Sequence, residues 1–279
     1  MNDGPNEDIS AIRLAAIQHL ESLQRAGVSH IPKPTEEAIQ AFIASQRPVE
    51  PEVSNISDNS EAKHAAPGGG ALPMSDALPV FDFSKDDSLE ARARALGTLS
   101  ECTAQCRACE ELASTRTQTV FGVGNPKTRV VFLGEAPGAD EDRQGVPFVG
   151  RAGKLLTDIL EKGMKIPRDE IYICNILRCR PPENRNPSPD EAAQCRKFLD
   201  ATLDVIRPEF ICCLGAVAAQ NLLQSKETIG KMRKRFFDYK GIRVMCSYHP
   251  AYLLRNPAAK KDTWDDIQML MREMGLPVE

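Results

Sequence analysis

From about residue 88 onward the chain alternates short, uninterrupted apolar runs with segments of helical periodicity, and this alternation limits the possible folds more than any other feature. The runs are RVVFLG (129–134), EIYICN (170–175), EFICCLG (209–215) and RVMCSYH (243–249); helical patterns cover 151–163, 189–206, 216–224 and 257–274. A strand with one face in water alternates apolar and polar residues, whereas a strand covered on both sides stays apolar throughout. Continuous apolar strands separated by helices therefore predict a central, mostly parallel sheet with helices on both faces and right-handed crossovers. The 42% apolar content is enough for such a core. Ligands in sheets of this kind bind beyond the carboxyl ends of the strands. Here those ends carry glycine or polar residues: Gly134 with Glu135, Asn175, Gly215 and His249.

The chain before this region has a different texture. Residues 8–26 place Ile9, Ile12, Ala16, Leu20 and Leu23 on one helical face, with Asp8 as N-cap and Gly27 as stop, and a second short helix is expected near 35–46. Residues 47–87 are rich in Pro, Ser, Gly, Asn and Asp and read as a flexible linker. The expected organisation is a helical extension (1–46), a linker (47–87) and an α/β domain (88–279). The extension reads as an accessory tail or as a helix that binds another protein. Charge divides along the same line. Residues 1–90 hold 15 Asp and Glu against 6 Lys and Arg, and residues 91–279 hold 24 against 29, so only the second part suits a phosphate-bearing partner. No secretory start and no run of about 18 apolar residues is present, which predicts a cytoplasmic chain without a membrane span. Nine cysteines, an odd number, then read as thiols and ligands, not as a disulfide framework.

Four of these cysteines form a pattern. Cys106 and Cys109 make a C-x-x-C turn, and Cys179 and Cys195 follow, separated by fifteen residues. Four thiolates can hold zinc or an iron–sulfur cluster. A single knuckle with two dispersed ligands fits the cluster better than the paired knuckles common for zinc. Cys174, Cys212, Cys213 and Cys246 fall in predicted strands and read as small core residues, and Cys102 is a weaker competing ligand.

Other motifs lie at the strand ends. GEAPGADED, after the first strand, allows a tight turn with exposed backbone N–H groups, but it lacks the Lys-Ser/Thr of a phosphate loop. Phe148, in GVPFVGRAG, is placed to stack on a base or simply to pack. The Asn175 amide can read a pyrimidine edge or merely end a strand. His249 is the only histidine in residues 91–279. KMRKR (231–235) is either a grip for a DNA backbone or a solvated loop.

Taken together, CRAC, VFLGEAPGADEDRQGVPFVGRAGKLL, YICNILRCRPPENRNPSP, Cys195 and YHPAYLLRNP resemble the family 4 uracil-DNA glycosylases, the iron–sulfur, thermophile-type branch of that superfamily, over about residues 90–274. The resemblance implies a three-layer α/β/α fold and removal of uracil from single- or double-stranded DNA by a monomer. It implies that Cys106, Cys109, Cys179 and Cys195 hold a [4Fe–4S] cluster. Gly134, Glu135 and Ala136 would form the first active-site motif. Phe148 would stack on uracil, Asn175 would read its edge, Asn184 would position water and His249 would face uracil O2. Related enzymes that cross-link to DNA carry a histidine in the loop after the uracil-reading Asn; RPPENRNPSP has none, which favours turnover. Two rival readings remain: a non-catalytic iron–sulfur protein that binds nucleic acid, and an electron carrier.

Overall fold

The computed structural model describes residues 78–278. The predicted helices at 8–26 and 35–46, and most of the predicted linker, lie outside the described residues. Packing starts earlier than the boundary expected at 88: Phe83 is buried, and Leu78 and Phe81 lie against the same apolar cluster.

Helix α1 (Leu89–Gln105) begins at Ser88, whose Oγ accepts a hydrogen bond from Ala91 N at 3.1 Å. A short α2 (Glu110–Thr115) follows, then strands β1 (Val123–Gly124) and β2 (Val130–Gly134). Helices α3 (Ala139–Gln144) and α4 (Arg151–Asp158) lead to β3 (Tyr172–Asn175). Next come α5 (Pro189–Ile206), β4 (Phe210–Leu214), α6 (Ala216–Leu223) and α7 (Ile229–Met232). The hairpin β5 (Phe236–Tyr239) and β6 (Ile242–Ser247) precedes α8 (Pro250–Arg255) and α9 (Ala259–Glu273).

The sheet order is β1-β3-β2-β4-β6-β5. The four central strands are parallel, and β1 and β5 add antiparallel edges. Every residue of β2, β3 and β4 is buried, as continuous apolar runs require. Alternate residues feed two cores. Val131, Leu133, Ile211, Cys213 and Val244 face a cluster that includes Leu99 of α1, Leu199 of α5 and Leu222 of α6. Phe132, Cys212, Leu214 and Met245 face a second cluster with Leu156 of α4 and Leu270 of α9. The architecture is therefore α/β/α in three layers.

Two segments depart from the sequence reading. The helix expected over 151–163 changes to a π-helical turn at Ile159–Met164, where Gly163 passes under Trp264 so closely that a Cβ would lie 2.7 Å from the indole. KMRKR is not an open basic loop. Met232 and Arg233 are buried, and Arg233 Nε meets Asp266 Oδ2 at 2.6 Å while its guanidinium stacks 4.2 Å from the Tyr248 ring centre. Arg235 pairs with Glu227, Lys231 and Lys234 stay exposed, and the phenylalanines that follow form the edge strand β5.

Candidate active site and thiol pocket

The carboxyl ends of β2, β3 and β6 open on a cleft of about 440 Å³. Glu135, Ala136, Phe148, Asn175, Asn184 and His249 all line it. Gly134 does not line the cleft but makes it possible. It pairs with Asn175 across the β2–β3 register, and a Cβ on it would lie 2.3 Å from Asn175 Oδ1 and 2.6 Å from the Phe148 ring. Only glycine lets the amide and the ring close over the strand end.

Phe148 is held in an unusual posture. Its φ is 56°, the left-handed region that a bulky residue enters at a cost of about 1–3 kcal/mol. The loop that imposes this is anchored at several points. The Glu141 carboxylate accepts hydrogen bonds from Gly138 N (3.1 Å), Val149 N (3.0 Å) and Gly150 N (3.1 Å). Arg168 Nη2 donates to Pro147 O at 2.8 Å. Gly153 supplies space for the Phe148 carbonyl, which a Cβ there would meet at 1.8 Å. Glu141 and Arg168 are positioning residues absent from the sequence reading. The spacing Gly138-x-x-Glu141 ahead of a helix was an available signal for the first.

Asn175 is 2% exposed, and its Oδ1 has no hydrogen-bond partner. A buried amide oxygen left unpaired costs about 1–3 kcal/mol, so its retention beside a cleft points to a ligand that completes it. His249 caps α8: its Nδ1 accepts from Ala251 N at 3.1 Å. That bond places the proton of the neutral ring on Nε2. Enclosure of the ring, reinforced by the Arg255 charge, lowers its pKa to about 4, so the ring is neutral at physiological pH. Its centre lies 5.5 Å from that of Phe148. Burial also raises the Glu135 carboxyl above the usual carboxylate range. Asn184 is exposed, at φ 54°, and its Oδ1 accepts from Arg180 Nε at 2.8 Å. The structure thus gathers the predicted catalytic and binding side chains around one cleft.

The four predicted ligand cysteines line a separate, narrow pocket between α1, α2 and α5. Their lining neighbours include Leu112, Leu177 and Phe198, with no histidine and no carboxylate. Such an all-thiol, apolar-walled donor set suits zinc or iron–sulfur chemistry. Among the described residues no three His, Cys, Asp or Glu side chains are grouped to hold a metal ion. Arg116 Nη1 donates to Cys179 Sγ at 2.9 Å and its Nη2 to Cys106 O at 2.7 Å, and Arg178 N donates to Cys195 Sγ at 3.3 Å. Burial pushes the Cys195 thiol up to about 12 and raises Cys109 and Cys179 as well. Cys102 is absent from this lining. Cys174, Cys212, Cys213 and Cys246 are fully buried in strands, as expected of core residues.

Bonds from the helices that flank the pocket reach segments that border the cleft. Thr117 N, just past α2, donates to both oxygens of buried Asp142 in α3. Arg185, a cleft residue, pairs with Glu111 of α2 at 2.7 Å and with Glu191 of α5 at 2.6 Å.

Known proteins carry the same arrangement of sequence. Residues 121–268 match the model of the uracil DNA glycosylase superfamily. A type-4 uracil-DNA glycosylase of Thermotoga maritima is 46% identical over 168 residues, 59% of this chain and 86% of its own length. Another, from Archaeoglobus fulgidus, is 43% identical over 173 residues, again 59% and 86%. A type-5 uracil-DNA glycosylase of Pyrobaculum aerophilum is more distant, at 30% over 146 residues, 47% of this chain and 64% of that one. With its strand-end cleft and a family match spanning more than half its length, the chain belongs to the uracil DNA glycosylase superfamily.

Proposed function

We propose that this protein is a type-4 uracil-DNA glycosylase, which removes uracil from DNA by hydrolysing the bond between the base and deoxyribose. The observation that carries the reading is the unpartnered Asn175 Oδ1, buried in the cleft beside Phe148. Uracil N3–H supplies the donor that this oxygen lacks, and the amide N–H₂ end then meets uracil O4. Cytosine presents an amino donor where O4 stands and an acceptor at N3, so both hydrogen bonds fail.

A base inside a duplex cannot reach this cleft, so the nucleotide swings out, at a cost of about a few kcal/mol. Stacking on Phe148 returns roughly 1–3 kcal/mol. As the C1′–N1 bond lengthens, its electron pair moves to the base and negative charge grows on the uracil oxygens. Neutral His249, with its proton on Nε2, donates to O2, and backbone N–H groups near Ala136 assist. A donor of this kind lowers the barrier by about 3–4 kcal/mol. Water then adds its oxygen to C1′, and the proton it loses neutralises the departed uracil anion, leaving free uracil and an abasic deoxyribose. Asn184, its oxygen held by Arg180, orients that water through its N–H₂ group, and the Glu135 carboxylate accepts a hydrogen bond from it.

In this reading Cys106, Cys109, Cys179 and Cys195 hold a [4Fe–4S] cluster. Four cysteines lining one pocket, with no histidine or carboxylate among its lining residues, supply the all-thiolate donor set that such a cluster takes. When bound, the cluster braces the segments before and after the cleft. Reduced thiols of this kind fit a cytoplasmic protein. Among the described residues no helix is long and apolar enough to cross a membrane.

The test is incubation of purified protein with a labelled oligonucleotide carrying one uracil, followed by alkali. Cleavage at the uracil position is expected. Binding without cleavage would leave the rival, a non-catalytic iron–sulfur protein that binds nucleic acid.

A further inference from the structure

Arg178 is the largest fully buried side chain in the described molecule, at 0% exposure, and none of the hydrogen bonds or charges acting on it among the described residues comes from a carboxylate. Its Nη1 donates to Asn175 O at 3.2 Å and its Nη2 to Thr202 Oγ1 at 3.3 Å. The Thr202 hydroxyl donates in turn to Phe198 O at 2.6 Å, which turns its lone pairs toward the guanidinium. The guanidinium lies over Phe121, 5.1 Å from the ring centre, with the buried Cys174 thiol within its reach, and Nε itself has no hydrogen-bond partner. A permanently charged group removed from water is strongly unfavourable unless an anion stands nearby. The structure offers neutral acceptors only.

The missing anion has an obvious place. Arg178 lines the four-thiol pocket, and its own backbone N–H donates to Cys195 Sγ. Four thiolates outweigh the cationic core of a [4Fe–4S] cluster, so the ligated centre is a net anion. We propose that Arg178 is the buried counter-charge of this centre, and that through the Asn175 carbonyl it also fixes the strand end that carries the uracil-reading amide. Arg178 is a positioning residue, not a catalytic one. Arg116, which also donates to a ligand sulfur, is partly exposed and cannot fill this role, because water already compensates its charge. The inference rests on the cluster reading above.

Its test compares Arg178→Met with Arg178→Lys in the cluster-containing protein. Iron and acid-labile sulfide in the wild type come first: their absence overturns the cluster reading itself and this inference with it. With the cluster present, Arg178→Met is expected to lose iron to a chelator about 10-fold or more faster, the usual penalty for removing a group that supports metal ligands. Its reduction potential is expected to become more negative, since a cation near the cluster has been removed. Arg178→Lys keeps the charge but loses the planar fork, and should stay near wild type in potential. Equal shifts in Met and Lys would mean that the fork's hydrogen bonds matter and the charge does not. Wild-type behaviour of the Met variant would equally overturn the proposal while leaving the cluster intact. Where Arg178→Met yields no folded protein, Arg178→Gln takes its place in the same comparison with Lys.

Discussion

The cleft and the thiol pocket lie on connected segments but are built in opposite ways. The cleft keeps its polar groups unfinished: an amide oxygen without a partner, a carboxyl raised by burial, and an aromatic residue in a left-handed backbone. The thiol pocket has mainly apolar walls, its sulfurs already accept hydrogen bonds from Arg116 and from the backbone of Arg178, and what it leaves unfinished is a charge, the buried Arg178 guanidinium, not a base-reading group. Unmet hydrogen bonds and strain lower stability and are retained where a ligand completes them. In the cluster reading proposed above, the thiols by contrast hold segments together. The difference separates a region designed for chemistry from one designed for rigidity, and it predicts that damage to each will register in a different measurement.

The largest effect is expected at the cleft. His249→Ala removes the neutral donor and should slow single-turnover uracil release by about 10²–10³-fold, with DNA affinity little changed. Near-normal release would remove His249 from the leaving-group role. Because the His249 pKa lies near 4, its charge does not change between pH 6 and 8. The wild-type rate should therefore show no histidine inflection near 6.5, and nitrogen chemical shifts should report a neutral ring protonated on Nε2. Gly134→Ala comes next. It drives a methyl into Asn175 and Phe148 and should abolish most selectivity for uracil while the protein stays folded, read as kcat/KM on a uracil-containing strand with circular dichroism as control.

On the other side of the comparison, Cys195→Ser should first lower iron content and melting temperature, and lower uracil release only in proportion to the folded protein lost. Loss of activity at unchanged stability and iron content would break the division between the two regions. The smallest effect is expected from Glu135→Gln. Burial raises the folded-state pKa of Glu135, so the folded state binds its proton more tightly than the unfolded chain does. Stability therefore falls as pH rises through that range. The Gln variant should melt slightly higher than wild type at pH 7–8, with the gain disappearing below about pH 4.5, the ordinary glutamate range, and with slower uracil release throughout. A lower melting temperature at pH 8 would show that the ionised carboxylate has a stabilising partner.

Much of the fold was legible from local pattern. β2, β3 and β4 begin and end within a residue or two of the apolar runs, because a strand buried on both faces must be apolar throughout. Helix α5 matches its predicted span, bounded by Ser188 and Pro189 at the start. β5 was not legible: its phenylalanines followed a basic run, and only pairing with β6 makes Phe236–Tyr239 a strand. The inward turn of Arg233 depends on Asp266, thirty-three residues away in sequence. Arg168 and Arg178 escaped for the same reason, since each acts on backbone or rings that only folding brings within reach, whereas the local half of Glu141's role, its bond to Gly138 N, was legible in the spacing.

Sequence alone determined the class of the fold, the identity of the side chains at the strand ends and the four thiols, because periodicity and residue chemistry are local properties. Tertiary structure decided which groups remain unpaired, how Phe148 is wedged between Gly134 and Gly153, that the His249 ring is neutral, and that a fully buried arginine stands beside the thiols. These depend on desolvation and on distances between segments far apart in the chain, and neither quantity exists until the chain has folded.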